Sequence, residues 1–117
     1  MLSPSCATRV WLACGVTDMR KSFNSLYSIV NDKLGEDPSG GHVFVFCNRR
    51  RDRIKTLHWD GSGLWVCAKR LESGTFRWPA PGEDLDRLEL DWTQLQALLG
   101  GLDTSVLKSR NWTRTKN

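Results

Sequence analysis

Residues 42–71 read HVFVFCNRRRDRIKTLHWDGSGLWVCAKRL, and this stretch decides the fold. Val43, Phe44, Val45 and Phe46 form an unbroken β-branched and aromatic run. A strand that is apolar on both faces belongs at the covered centre of a sheet. Polar residues from Asn48 to Asp52 interrupt it. A strand pattern resumes over residues 54–59, and Asp60-Gly61-Ser62-Gly63 follows. Asp-Gly between two strand-like runs signals a hairpin, because glycine reaches positive φ at no steric cost. Residues 64–71 return as the partner strand. With a four-residue loop, Leu57 faces Val66 and Trp59 faces Leu64 on one side, while His58 pairs with Trp65 on the other. The stretch therefore predicts three consecutive antiparallel strands.

Charge is concentrated on the same strands. Arg49, Arg50, Arg51, Arg53, Lys55, Lys69 and Arg70 are opposed within the stretch by Asp52 and Asp60 alone, and Arg77 lies just beyond. Charges along a sheet edge ordinarily prevent edge-to-edge aggregation. Three adjacent arginines in a strand-to-strand loop also make a dense donor array suited to phosphate oxygens. Both readings are open from the residues themselves.

At 117 residues the chain makes one domain, long enough to bury a core without disulfides or a structural metal. Its net charge is +4, with a basic middle and C-terminus and an acidic segment over 83–91. The N-terminus lacks the basic flank and apolar core of a signal peptide. No run approaches the roughly eighteen apolar residues of a membrane span, so the sequence predicts a cytoplasmic protein. Cys6, Cys14, Cys47 and Cys67 lie far apart, without the short spacings of a zinc site, and read as ordinary thiols in a reducing compartment.

Along the chain, residues 1–7 read as a flexible arm and residues 8–14 as a short strand. Thr17 or Asp18 is positioned to cap a helix of four turns. Its apolar stripe would be Met19, Phe23, Leu26, Tyr27, Val30 and Leu34, with Gly35 as its stop. Arg20 and Lys21 would then stand in the first turn, where the macrodipole disfavours cations and an external anion would be welcome. Asp37-Pro38-Ser39-Gly40-Gly41 is a turn cluster. Residues 75–78 read as a short last strand ended by Pro79, and 88–90 as a brief strand. Asp91 caps a second helix, with Gln94 as its capping-box partner. Residues 104–117 form a basic, polar tail, predicted to be disordered, in which Trp112 is the one large apolar group and a candidate docking residue.

Catalysis finds little support. His42 and His58 fall in no triad or metal motif. Asp52 and Asp60 bracket one strand, roughly 25 Å apart at strand rise, too far to share an ion. No phosphate-binding glycine loop occurs. The sequence predicts a non-enzyme without metal or cofactor.

Three strings in order carry a resemblance: GVTDMRK at 15–21, RDRIKTLHWDGSGL at 51–64 and AKRLESGTFRWP at 68–79, followed by LDWTQLQALLGGLD at 90–103. Over about residues 8–103 the chain resembles the small TnpB accessory proteins of the insertion-sequence-66 family of bacterial mobile elements, encoded beside the element's transposase. Asn48, Arg51 and His58 depart from the family's pattern. The resemblance implies a role in transposition together with the transposase and a second small accessory protein, and it carries over no catalytic residue.

The sequence thus predicts a single α+β domain over residues 8–103. An antiparallel meander of four or five strands would carry one amphipathic helix on a face, with a short second helix packed at an edge near the C-terminus. The predicted function is non-catalytic binding of DNA, either element ends or non-specific duplex. The candidate contacts are Arg20, Lys21, Arg49, Arg50, Arg51, Arg53, Lys55, Lys69, Arg70 and Arg77, with Trp112 as a partner contact. The alternative is a protein-interaction module that assembles the transposase complex without touching DNA.

Overall fold

The computed structural model describes residues 8–78 and 86–100. The predicted arm at 1–7 and tail at 104–117, with Trp112, lie outside them. Five strands, β1 (Val10–Ala13), β2 (Val43–Cys47), β3 (Arg53–Trp59), β4 (Leu64–Arg70) and β5 (Arg87–Leu90), form one sheet in the order β4-β3-β2-β1-β5. Helix α1 (Phe23–Ser28) connects β1 to β2, and α2 (Trp92–Leu99) follows β5.

The meander of β2, β3 and β4 has the register read from the sequence: Leu57 opposite Val66, His58 opposite Trp65 and Trp59 opposite Leu64. All five residues of β2 are buried, as an unbroken apolar run requires. The first strand joins the same sheet, but it runs parallel to β2, so the sheet is mixed. A helical crossover is what permits this, because parallel neighbours need a long connection and residues 14–42 provide it.

The two faces of β2 are covered by different elements. Phe44 and Phe46 pack with Ala13, Leu57 and the helical residues Leu26, Val30 and Leu34. Val43, Val45 and Cys47 pack with Val10, Leu12, Ile54, Leu88 and Leu90, and with Leu95 and Leu98 of α2. The second helix therefore lies on the opposite face of the sheet from α1, not at an edge. Its cap is as read: Asp91 accepts from the Gln94 amide at 2.7 Å and the Gln94 side chain accepts from the Asp91 amide at 2.9 Å.

Three local expectations are corrected. The first helix is not four α-turns from Met19. Its α-helical part begins at Phe23 after Ser22, and Ile29–Lys33 widens into a π-helical turn. The Thr17 amide is committed to the carbonyl of Cys47 at 2.8 Å, and the Asp18 carboxylate turns to Arg20. Neither caps α1: the residue before that helix is Ser22, which makes no side-chain capping bond. Leu26, Val30 and Leu34 still make one buried line, but Phe23 and Tyr27 are exposed. Residues 75–78 form no strand. Phe76 and Trp78 are buried, and the Trp78 indole donates to the Ala13 carbonyl at 2.9 Å. The segment is an apolar strap, held by its buried side chains and by isolated hydrogen bonds instead of a ladder.

Candidate nucleic-acid interface

The β2–β3 loop, the start of β3 and the end of β4 meet at one end of the sheet, because antiparallel pairing sets Arg53 opposite Arg70. Asn48 organises the loop. Its side-chain oxygen accepts from the amides of Asp52 at 3.1 Å and Arg53 at 3.0 Å, and its amide nitrogen donates to the Asp52 carboxylate at 2.8 Å. The Asn48 hydrogen bond is also the main reason the Asp52 carboxyl sits below the usual range, with Arg53 and Arg50 adding to it. The loop leaves Arg49 and Arg50 in solvent.

Arg51 behaves differently. It adopts φ +63°, the left-handed region that costs most residues about 1–2 kcal/mol. Its carbonyl accepts from the Phe76 amide at 2.6 Å and its guanidinium donates to the Trp78 carbonyl. Arg51 therefore ties the 76–78 strap to the loop. Two further candidate lysines are also bonded to backbone: Lys55 Nζ donates to the Lys21 carbonyl at 2.7 Å, and Lys69 Nζ donates to the carbonyl of Leu99 at the end of α2. Lys55 thereby ties β3 to the segment just ahead of α1, and Lys69 ties β4 to the end of α2.

A groove of about 360 Å³ runs over this corner, lined by Met19, Arg53, Ile54, Lys55, Ala68, Lys69 and Arg70. Strand alternation and the bond to Leu99 turn the Lys69 ammonium toward α2 on the other face, so the cations of the groove are Arg53, Lys55 and Arg70. Like charges directly opposite on neighbouring strands are unfavourable. Arg70 has the exposed Glu72 at 3.3 Å. Arg53 has no carboxylate at ion-pair distance among the described residues. An anion in the groove would relieve this repulsion.

The structure divides the remaining candidates. Arg20 is paired with Asp18 at 2.7 Å, with 92% of its side chain exposed. Neither Arg20 nor Lys21 belongs to a helix, so the macrodipole argument does not apply to them. Lys21 lines a separate hollow of about 210 Å³ with Lys33, Asp18 and Asp86, where opposite charges offset one another. Arg77 is exposed on the strap. Asn48 is the organising residue that the sequence reading passed over. An Asn four residues before an Asp in a polar loop, with its side chain free to mimic a backbone turn, was the available signal.

At the other end of the β3–β4 hairpin, Asp60 accepts from the amides of Ser62 at 2.9 Å and Gly63 at 3.0 Å and from the Trp65 indole at 2.7 Å. These donors, Ser62 first, hold its carboxyl far below the usual range. The Asp18 carboxyl is lowered from 3.8 to about 2, chiefly by the Arg20 side chain. A carboxyl with a depressed native pKa stabilises the fold above its unfolded value, and that contribution disappears as pH falls toward the native one. Thermal stability should therefore drop between about pH 4 and pH 2. Melts of the Asp18→Asn and Asp60→Asn variants over pH 2–6 should show a flatter acid limb. An unchanged limb would mean that these contacts do not persist in solution.

A family model described as IS66 Orf2 like protein matches residues 8–109. An uncharacterized protein of Sinorhizobium fredii, y4jC, is 37% identical over 116 residues, which is 99% of this chain and 91% of the relative. A second from the same organism, y4hO, is 38% identical over 103 residues, 88% of each chain. No solved structure gives a significant match.

Proposed function

The chain belongs to the IS66 Orf2-like family, whose members are accessory proteins associated with transposition, and on that premise we propose that it binds the DNA backbone through the cationic groove at the end of β3 and β4. The observation that carries the reading is Arg53 facing Arg70 across the ladder in a groove that Lys55 also lines. Arg53 and Arg70 are the phosphate contacts at its centre, with Arg49 and Arg50 extending the array along the β2–β3 loop. Such contacts fix position without reading sequence. Target choice is then left to the transposase, with which the protein acts in the cytoplasm together with a second small protein of the element. No catalytic step is assigned to it. No helix among the described residues is long and apolar enough to cross a membrane.

The test is fluorescence anisotropy with labelled duplex across a salt series, one probe carrying an end of the mobile element and the other a scrambled sequence. The expected result is binding to both probes, with log affinity falling linearly in log salt at about 0.9 per phosphate contact. Absence of binding at low salt would overturn the reading in favour of a protein-interaction module that meets DNA only indirectly.

A further inference from the structure

Helix α1 carries two large aromatic side chains that the core does not use. Phe23 is 47% exposed and Tyr27 is 37% exposed. Their neighbours Asn24, Ser25 and Ser28 are polar and exposed. At spacing i, i+4 the two rings share one side of the helix, with Cβ atoms about 5–6 Å apart. Apolar surface left in water this way forfeits its burial energy, and a patch of it on a small domain marks a contact surface.

The surroundings state what the contact must be. Phe23 lies two residues after Lys21, whose carbonyl receives the Lys55 ammonium at 2.7 Å. The cationic groove thus abuts the start of the helix, where Met19 forms part of its wall. Arg20, almost fully exposed, stands at the same junction. A ligand that satisfies both halves must be polyanionic along one side and offer flat π faces along the other. Duplex DNA presents phosphates but hides its base faces in the stack, at about 3.4 Å per nucleotide along each strand. Aromatic rings standing on the protein surface can meet only bases that have been drawn out of that stack. Stacking of bases on aromatic side chains beside a basic groove is the general mode of single-strand binding.

We infer that the groove and the Phe23–Tyr27 side of α1 together bind single-stranded DNA, the phosphates lying over Arg53 and Arg70 and two successive bases stacking on the rings. This rests on the proposed DNA-binding role and adds the strand state of the ligand. A transposition accessory protein of this kind would engage DNA where the duplex is opened.

The test compares labelled oligo(dT) of 20 nucleotides with a 20-base-pair duplex at 0.1 M salt, using the full chain. Oligo(dT) is expected to bind about tenfold more tightly than duplex. The Phe23→Ala/Tyr27→Ala variant is expected to lose about tenfold on oligo(dT) while staying within twofold on duplex. Both side chains are exposed, so the fold should survive; the Phe23→Leu/Tyr27→Leu variant keeps apolar bulk without π faces and should be as weak on oligo(dT) as the alanine variant. Leucine restoring full affinity, equal losses on both probes, or no loss on oligo(dT) would each overturn the inference while leaving the groove reading standing. In the last case the aromatic pair is a protein-docking surface. Failure of the unaltered protein to bind either probe would sink both.

Discussion

Replacing Arg53 and Arg70 together with alanine is expected to weaken duplex binding roughly sixtyfold at 0.1 M salt. Each phosphate contact contributes about 0.9 to the slope of log affinity against log salt. Losing two contacts should flatten the slope by about 1.8, and across the decade from 1 M to 0.1 M that amounts to about 1.8 log units. The loss should be equal on element-end and scrambled probes, because the contacts go to the backbone. Stability should not fall with it. The two arginines face each other across the ladder, so their removal relieves a like-charge pair. The one ion pair lost, Arg70 with Glu72, is exposed on both sides and worth at most about 1 kcal/mol. An unchanged slope in a well-folded variant would show that the groove does not touch phosphate. A variant that melts markedly lower would instead assign the two arginines to the fold.

The second large effect concerns the centre of the sheet. Phe44→Ala is expected to destabilise the protein by about 3–5 kcal/mol, the usual range for a buried phenylalanine. Phe44 is fully buried. It sits on the central strand between Trp11 of β1 and Leu57 of β3 in the register, and packs with Leu26 of α1 and Val30 of the π-helical turn. The cavity would therefore open where the sheet meets the helix and where neighbouring strands leave little room to collapse. Against a typical total of about 5–15 kcal/mol, such a loss takes a large share of the stability. Urea unfolding followed by tryptophan fluorescence measures it. A change below about 1 kcal/mol would mean that α1 does not pack on this face as described.

Much of this architecture was readable because it rests on local chemistry. The β3–β4 register follows from a four-residue Asp-Gly loop, since loop length sets which residues face each other. The burial of β2 follows from an apolar run with no polar face to turn outward. The cap of α2 follows from Asp91 and Gln94 at the right interval. The clustering of cations at the site was equally plain, because Arg53 and Arg70 end two strands of one hairpin.

What sequence reading missed depended on distant partners. Helix α1 starts at Phe23, not Met19, and in the segment ahead of it the Thr17 amide donates to the Cys47 carbonyl, thirty residues away in sequence. Of the one apolar stripe read from the sequence, Leu26, Val30 and Leu34 are buried while Phe23 and Tyr27 stay exposed. The apparent strand at 75–78 became a strap because Arg51 and Ala13 supply its hydrogen-bond partners. Sequence also could not show that three of the candidate cations, Arg51, Lys55 and Lys69, donate to carbonyls of other segments. A charge pattern shows that a side chain is cationic and exposed to some degree, not where its nearest acceptor lies.

From its residues alone, then, this chain determined its central strands, their pairing, the cap of its last helix and the location of its charge, all set by contacts within a few residues or across one tight turn. Only the tertiary structure decided that β1 lies parallel to β2, that the two helices take opposite faces, and which cations face a groove. Those features arise where segments far apart in sequence compete for the same hydrogen bonds and the same apolar surface, and that competition is resolved only when the segments meet.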